Sequence, residues 1–363
     1  MYHNVSHFIK IFLFSLFFVK IAVCVDIGSD TAVDRFTSQQ ILNNGDRVAG
    51  FAFLLGGFEL SSASVSATFD SFFPVSGNIE FNSGTLTLSR DLILRDVSNI
   101  VTFGSIVGSN HTLELAPSIS YLPTQDATGV TVDLSDVELL LNSDIYLNNI
   151  CIRFSGESKI NGKGNCLTLS PTSTMVIDSD SSLLFMDILI KDIRNVNIYC
   201  IDSTSTMSVQ HVAWVQNGNY RFDQGHFEVI KDFHIIGDGY IFSYETDQES
   251  VIKSNAGLIL DNNVTFSYAP STSNRDLINL YDDTSEIILR GATLFSTTTG
   301  LRLTRGNLLV ERKSSVFCDG TVEGEAISFG DGQSSLNDLN VQCVGAANLE
   351  ILGGYIAYNN VNS

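Results

Sequence analysis

Positive charge is scarce in this 363-residue chain: 20 Lys and Arg stand against 40 Asp and Glu, a formal charge of −20. Such a surface repels polyanions, which excludes nucleic acid and anionic membranes held through a basic patch. Proline is almost missing, with 5 residues against 28 Gly. No Pro- or Ser-rich tract marks a linker after about residue 77, so the chain beyond it reads as one continuous architecture. Long apolar runs are missing too. Beyond the first two dozen residues no stretch reaches the roughly 18 needed for a membrane span; "VAGFAFLLGGFEL" stops well short. There is no CxxC pair and no His at metal spacing, which argues against zinc. Helix signals are almost absent. Residues 30–48, "DTAVDRFTSQQILNNGDRV", carry a weak amphipathic pattern around Phe36 and Ile41 that ends in Asn-Gly, and a short helix is expected there.

The first residues have a different character. "MYHNVSHFIKIFLFSLFFVKIAVC" places Lys10 before the apolar run Ile11 to Val19, with Ala22 and Cys24 at positions minus three and minus one. That is the pattern of a cleaved secretory signal, so residues 1–24 are expected to direct export to the cell envelope or beyond. Cys24 is the alternative anchor, as a lipidated cysteine, although Val23 fits a lipobox poorly. Loss of residues 1–24 removes Lys10 and Lys20 and no acid, which takes the formal charge to −22. Five cysteines then remain, Cys151, Cys166, Cys200, Cys318 and Cys343. An odd number spread over a long chain is no disulfide framework. They read as small buried apolar residues, with at most one stapled pair; Cys318 and Cys343 stand 25 positions apart.

What the sequence does hold is a repeat of short alternating bursts. "SVIKSNAGLILDNNVTFSY", "DLINLYDDTSEIILRGATLFS", "GLRLTRGNLLVERKSSVF" and "EAISFGDG…LNDLNVQCVGAANLEIL" begin their apolar sets at Val251, Leu277, Leu301 and Ile327, spaced by 26, 24 and 26 residues. Each unit carries three bursts. The second falls at Leu258/Leu260, Ile287/Leu289, Leu308/Val310 and Leu339/Val341, and the third at Val264/Phe266, Ala292/Leu294, Val316/Cys318 and Leu349/Ile351. A period of 20–50 residues marks a solenoid. Three brief strands per period, with residues i and i+2 facing inward, predict a coil of triangular section. Each strand then pairs in parallel with its equivalent one coil away, gaining its ladder from stacking rather than from length.

Upstream the texture continues, at Ile79/Phe81, Leu86/Leu88 and Leu92/Leu94, then at Ile100, Ile106 and Leu113/Leu115. Between residues 190 and 250 the phase of the bursts is ambiguous. Residues 77–363 amount to roughly eleven coils, and at about 4.8 Å per coil the rod is near 50 Å long. Residues 25–76 are expected to form an N-terminal cap that covers the otherwise open first coil.

These repeats resemble the right-handed parallel β-helix of the pectin-lyase-like superfamily, which includes many bacterial surface and adhesin-like proteins. "SGNIEFNSGTLTLSRDL", "SGESKINGKGN", "GHFEVIKDFHIIGDG" and "STTTGLRLTRGNLLV" are most similar to secreted β-helix proteins that occur as large paralogous sets in some intracellular bacteria. The resemblance covers nearly all of the chain after residue 24. It implies an all-β architecture and no known reaction.

The polysaccharide-cleaving members of that superfamily define what an active site would need. Hydrolysis takes paired carboxylates on neighbouring coils, and elimination takes calcium held by Asp together with a basic residue. The nearest residues are Asp282 and Asp283 in "RDLINLYDD", with Arg275 and Asp276 close by, and His226 in "QGHFEV". They stand in the wrong order for the polygalacturonase-like pattern, and Asp282/Asp283 read first as corner residues. Asp178 and Asp180 in "VIDSDSS" lack the Gly and distal Glu of a calcium loop. Gly237-Asp238-Gly239 and Gly330-Asp331-Gly332 occur once each and read as turns.

His111, His211, His226 and His234 are scattered, with no nucleophile elbow near them. Trp214, with Tyr220 and Phe222, is either a sugar platform or core. Asn110 and Asn263 stand in N-x-T sequons, which signify only where secreted chains are glycosylated.

No catalytic, cofactor-binding or metal-binding residue is assigned from these patterns. The expected protein is a secreted, non-catalytic surface or adhesin-like β-helix that presents an extended face to a protein or carbohydrate. A polysaccharide lyase or hydrolase, or a carbohydrate-binding module, is the alternative. Charged side chains converging in an outer groove would favour the enzyme, and burial of Trp214 would count against the binding module.

Overall fold

The computed structural model describes residues 25–55, 57–60, 66–73, 75–76, 78–80, 85–94, 105–115, 130–195, 197–297, 299–322, 325–330 and 339–358. Among these there is no α-helix, and every strand pairing is parallel. The chain winds around three faces in turn. One circuit runs from Thr265–Tyr268 on the first face to Ile278–Leu280 on the second and Glu286–Arg290 on the third. It returns at Thr293–Ser296, which lies in register on Thr265–Tyr268. From Thr85–Leu88 to Leu349–Gly353 the first-face strands succeed one another through about eleven such turns. The ladder of that face is interrupted once, between Ile198–Cys200 and Tyr220–Phe222. There the Tyr220 hydroxyl donates to the Ile198 carbonyl at 2.7 Å.

Alternation within each burst decides what is inside. Leu258, Ile287 and Leu308 stack in register, as do Leu260, Leu289 and Val310, and all six are buried. A neighbour two positions along faces the same way, so the inward set survives a register shift of two. Such shifts occur. Leu308 and Val310 pair with Val341 and Cys343 rather than with Leu339 and Val341. Leu294 pairs with Val316, where the spacing aligned it with Cys318. On the second face Ile252 pairs with Leu280.

Aromatic residues inside the rod form axial stacks. Phe242 lies on Phe266 with centroids 5.6 Å apart, and Tyr244 on Tyr268 at 5.7 Å, the rings within 9° of parallel. Identical inward positions one coil apart are held about 4.8 Å from each other by the ladder, which suits offset ring stacking.

Three expectations need correction. The helix over residues 30–48 is not formed. Asp34–Phe36, Gln40–Leu42 and Arg47–Val48 are strands, paired with Ala52–Leu54, Gly57–Leu60 and Ser66–Phe69. The Asn-Gly that would have ended a helix instead turns a corner, with Gly45 at φ 85°. Coil winding therefore begins within residues 25–76. The five cysteines are not all buried: Cys151 is half-buried and Cys343 exposed. Nor are Cys318 and Cys343 stapled, since both are free, on the first and third faces respectively.

The ambiguous stretch between residues 190 and 250 has a structural cause in its first part, up to Gln216. Ser182–Ile193 and Thr206–Gln216 are single strands of 12 and 11 residues that pass from the second face to the third without a break. The corner is taken by one residue in the left-handed region, Asp187 at φ 48° and His211 at φ 50°. No polar cluster punctuates the sequence there, so the change of face leaves no mark in the pattern.

Candidate functional site: a polar groove on the second face

The outward positions of the second face carry the residues singled out in "RDLINLYDD". Strands Ser250–Ile252, Ile278–Leu280 and Leu301–Leu303 turn Val251, Asn279 and Arg302 outward. Asn279 and Arg302, with Glu249, Asn274, Asp276 and Thr304, line an open groove of about 470 Å³. Its charges are engaged with one another. Arg302 grips Asp276 with two nitrogens, Nε donating to Oδ1 at 2.6 Å and Nη2 to Oδ2. Such a bidentate pair fixes both side chains. Asn279 Nδ2 donates to Glu249 Oε1 at 2.9 Å. Arg275 is not among the lining residues; its Nη2 donates to the Ala326 carbonyl at 3.0 Å and to Ser328 Oγ at 2.6 Å. Tyr281, next in sequence to the lining residue Leu280, stands 57% exposed.

Asp282 and Asp283, the carboxylate pair nearest a catalytic pattern, lie at the next corner and do structural work. Asp282 Oδ1 accepts the Thr284 amide at 2.9 Å and the Thr284 hydroxyl at 2.6 Å, while the Ser254 hydroxyl of the preceding coil donates to Oδ2. These donors, Ser254 foremost, stabilise the ionised form and hold its pKa down at about 2. Asp202 is built alike at another corner. Ser179 donates from the coil before and Thr204 from two residues on, and its pKa is likewise about 2. In both corners the Thr hydroxyl also accepts an amide of the preceding coil, from Asp180 at 2.7 Å and from Asn255 at 2.8 Å. An Asp-x-Thr-Ser corner thus staples two coils. Asp283 uses its carbonyl to accept Asn307 Nδ2 at 2.8 Å.

The remaining sequence candidates are not brought together. Asp178 pairs with Arg153 at 3.1 Å, and Asp180 occupies a turn at φ 53°. His111 faces Asp91, His211 faces Asp187, His226 faces the Glu249 carbonyl and His234 faces Asp261; only His226 and His234 share a coil, and they lie on different faces of it. Asp238 and Gly239 form a turn with φ 48° and 92°; Asp331 and Gly332 lie outside the described residues. Asn110 and Asn263 also sit in turns at positive φ. Trp214 is 0% exposed, packed edge-on against Tyr220, Phe233 and Phe242. Tyr220 and Phe222 are buried as well, so these three rings are core and not a sugar platform.

The exposed ring beside the groove, Tyr281, was overlooked in the sequence. Its signal was there: Leu280 faces inward, so the next residue must face out. No group of three or more metal-ligating side chains occurs among the described residues. No helix among them is long and apolar enough to cross a membrane.

No family model, no curated protein and no solved structure matches this chain.

Proposed function

We propose that this chain is an exported, non-catalytic β-helix of the pectin-lyase-like, adhesin-like kind, presenting its outer faces to a protein or carbohydrate at a cell surface. The observation that carries the reading is the engagement of the groove's acids. Cleaving a glycosidic bond takes one carboxyl free to deliver a proton and another free to activate water or attack the sugar. Asp276 is clamped by Arg302 and Glu249 is bound by Asn279, so neither is poised for such work. Asn274, Asn279 and Thr304 beside an exposed Tyr281 offer amide, hydroxyl and ring-face contacts of the kind that hold a sugar chain, which favours carbohydrate among the partners.

The test is incubation of the purified chain with a panel of neutral and uronic-acid polysaccharides, followed for both retention and cleavage. Retention on at least one polymer, weakened at least fivefold by Tyr281→Ala, without new reducing ends or unsaturated products, is expected. Clear turnover would transfer the protein to the lyases and hydrolases.

A further inference from the structure

We infer that export is accompanied by cleavage of the peptide bond between Cys24 and Val25, and that the new amino terminus docks on the buried carboxylate of Asp46. The inference rests on the export reading and deepens it by assigning what the new amino terminus binds. Asp46 is 2% exposed, the only charged residue among the described residues to be buried. One of its oxygens accepts the Val25 N–H at 3.0 Å. The other accepts the Asn43 N–H at 2.7 Å and Asn43 Nδ2 at 3.2 Å.

No ion pair between Asp46 and a Lys or Arg is found among the described residues. The adjacent Arg47 is directed instead to Asp26, Asp30 and Asp70. A buried carboxylate held by neutral donors alone is costly, and a cation within hydrogen-bond reach offsets that cost. Hydrolysis at this bond supplies one. Water adds across the amide, the Cys24 carbonyl carbon takes the hydroxyl, and the Val25 nitrogen takes the proton. At neutral pH the amine binds a second proton and becomes an ammonium, already 3.0 Å from Asp46 Oδ1.

Two further observations fit this bond. Val25 is half exposed, so the extra N–H groups of an ammonium reach water. Its carbonyl accepts the Arg47 N–H at 3.2 Å, so both backbone polar groups of Val25 are engaged by the next coil. Ala22 and Cys24 supply the small residues that a leader peptidase reads before its cut. A lipidated Cys24, by contrast, would keep the Val25 nitrogen a neutral amide.

Two measurements test this. Mass spectrometry of the exported chain is expected to find Val25 as the first residue. An exported chain that begins elsewhere, or at a lipidated Cys24, overturns the inference and leaves export standing; a chain retained inside with Met1 intact overturns both. In the chain beginning at Val25, acetylation of the free amine is expected to speed hydrogen exchange at the Arg47 and Ala49 amides about three- to tenfold. Those amides bond the Val25 and Ile27 carbonyls. Asp46→Asn is expected to abolish the difference between free and acetylated chains. Should that variant fail to fold, acetylation of the native sequence decides alone, and equal exchange rates would overturn the docking.

Discussion

At the scale of single residues, short polar side chains at the corners hold neighbouring coils together. Asp202 and Asp282 each collect hydroxyl and amide donors from their own turn and a serine from the coil before. Their carboxyls are held at about 2, below the ordinary 3.8, so the folded chain favours the ionised form more than the unfolded chain does. The stabilisation is therefore complete above the ordinary value and fades as the pH falls from about 4 towards 2. Asp202→Asn and Asp282→Asn are expected to unfold more easily than the native chain at pH 7. The difference is expected to shrink as the pH falls below about 4 and to vanish only below about 2, which denaturant titration at a series of pH values would record. A constant deficit across that range would mean that shape, not charge, makes the corner.

At the scale of the strand and its corner, one left-handed residue does what a polar cluster does elsewhere. Asp187 and His211, at φ 48° and 50°, turn the chain from the second face to the third inside an unbroken strand. Glycine meets that conformation without strain, whereas a β-branched residue does not. Asp187→Gly is expected to leave stability within about 0.5 kcal/mol, while Asp187→Val costs about 1–2 kcal/mol in denaturant unfolding. Equal effects would place the turn's preference elsewhere. The same corner explains what could be read in advance. Where Gly, Asn and Asp cut the bursts short, as around Leu258/Leu260 and Ile287/Leu289, the sequence displays faces and period openly. Where a single αL residue suffices, as Asp187 does in "FMDILIKDI", no Gly, Asn or polar cluster separates the bursts and the phase is lost. The weak helical pattern of residues 30–48 rested on Phe36 and Ile41; pairing with the next coil made strands there instead, with Leu42 buried and Ile41 exposed. The groove was half legible. Arg275 and Asp276 drew notice as charges, but Arg302 and Glu249 stand some 26 residues away on adjacent coils, and only the winding brings them together.

At the scale of the whole molecule, the rod holds because each coil lends its neighbours hydrogen-bond ladders and apolar surface; roughly 25 ordered residues cost more than one coil's own apolar burial returns. Each outer face is then a set of axial columns, such as Thr265, Thr293 and Ser315 on the first face. These columns are what the proposed function would present to a partner, and their spacing is the most direct consequence of the fold. Spin labels placed in pairs at Thr265 and Thr293, and at Thr265 and Ser315, measure that spacing in solution. In-register parallel stacking predicts backbone separations of about 5 Å and about 10 Å, one and two coil steps, seen as strong and weaker dipolar broadening. Labels that show no broadening in the first pair, or equal distances in both, would contradict a column of stacked coils.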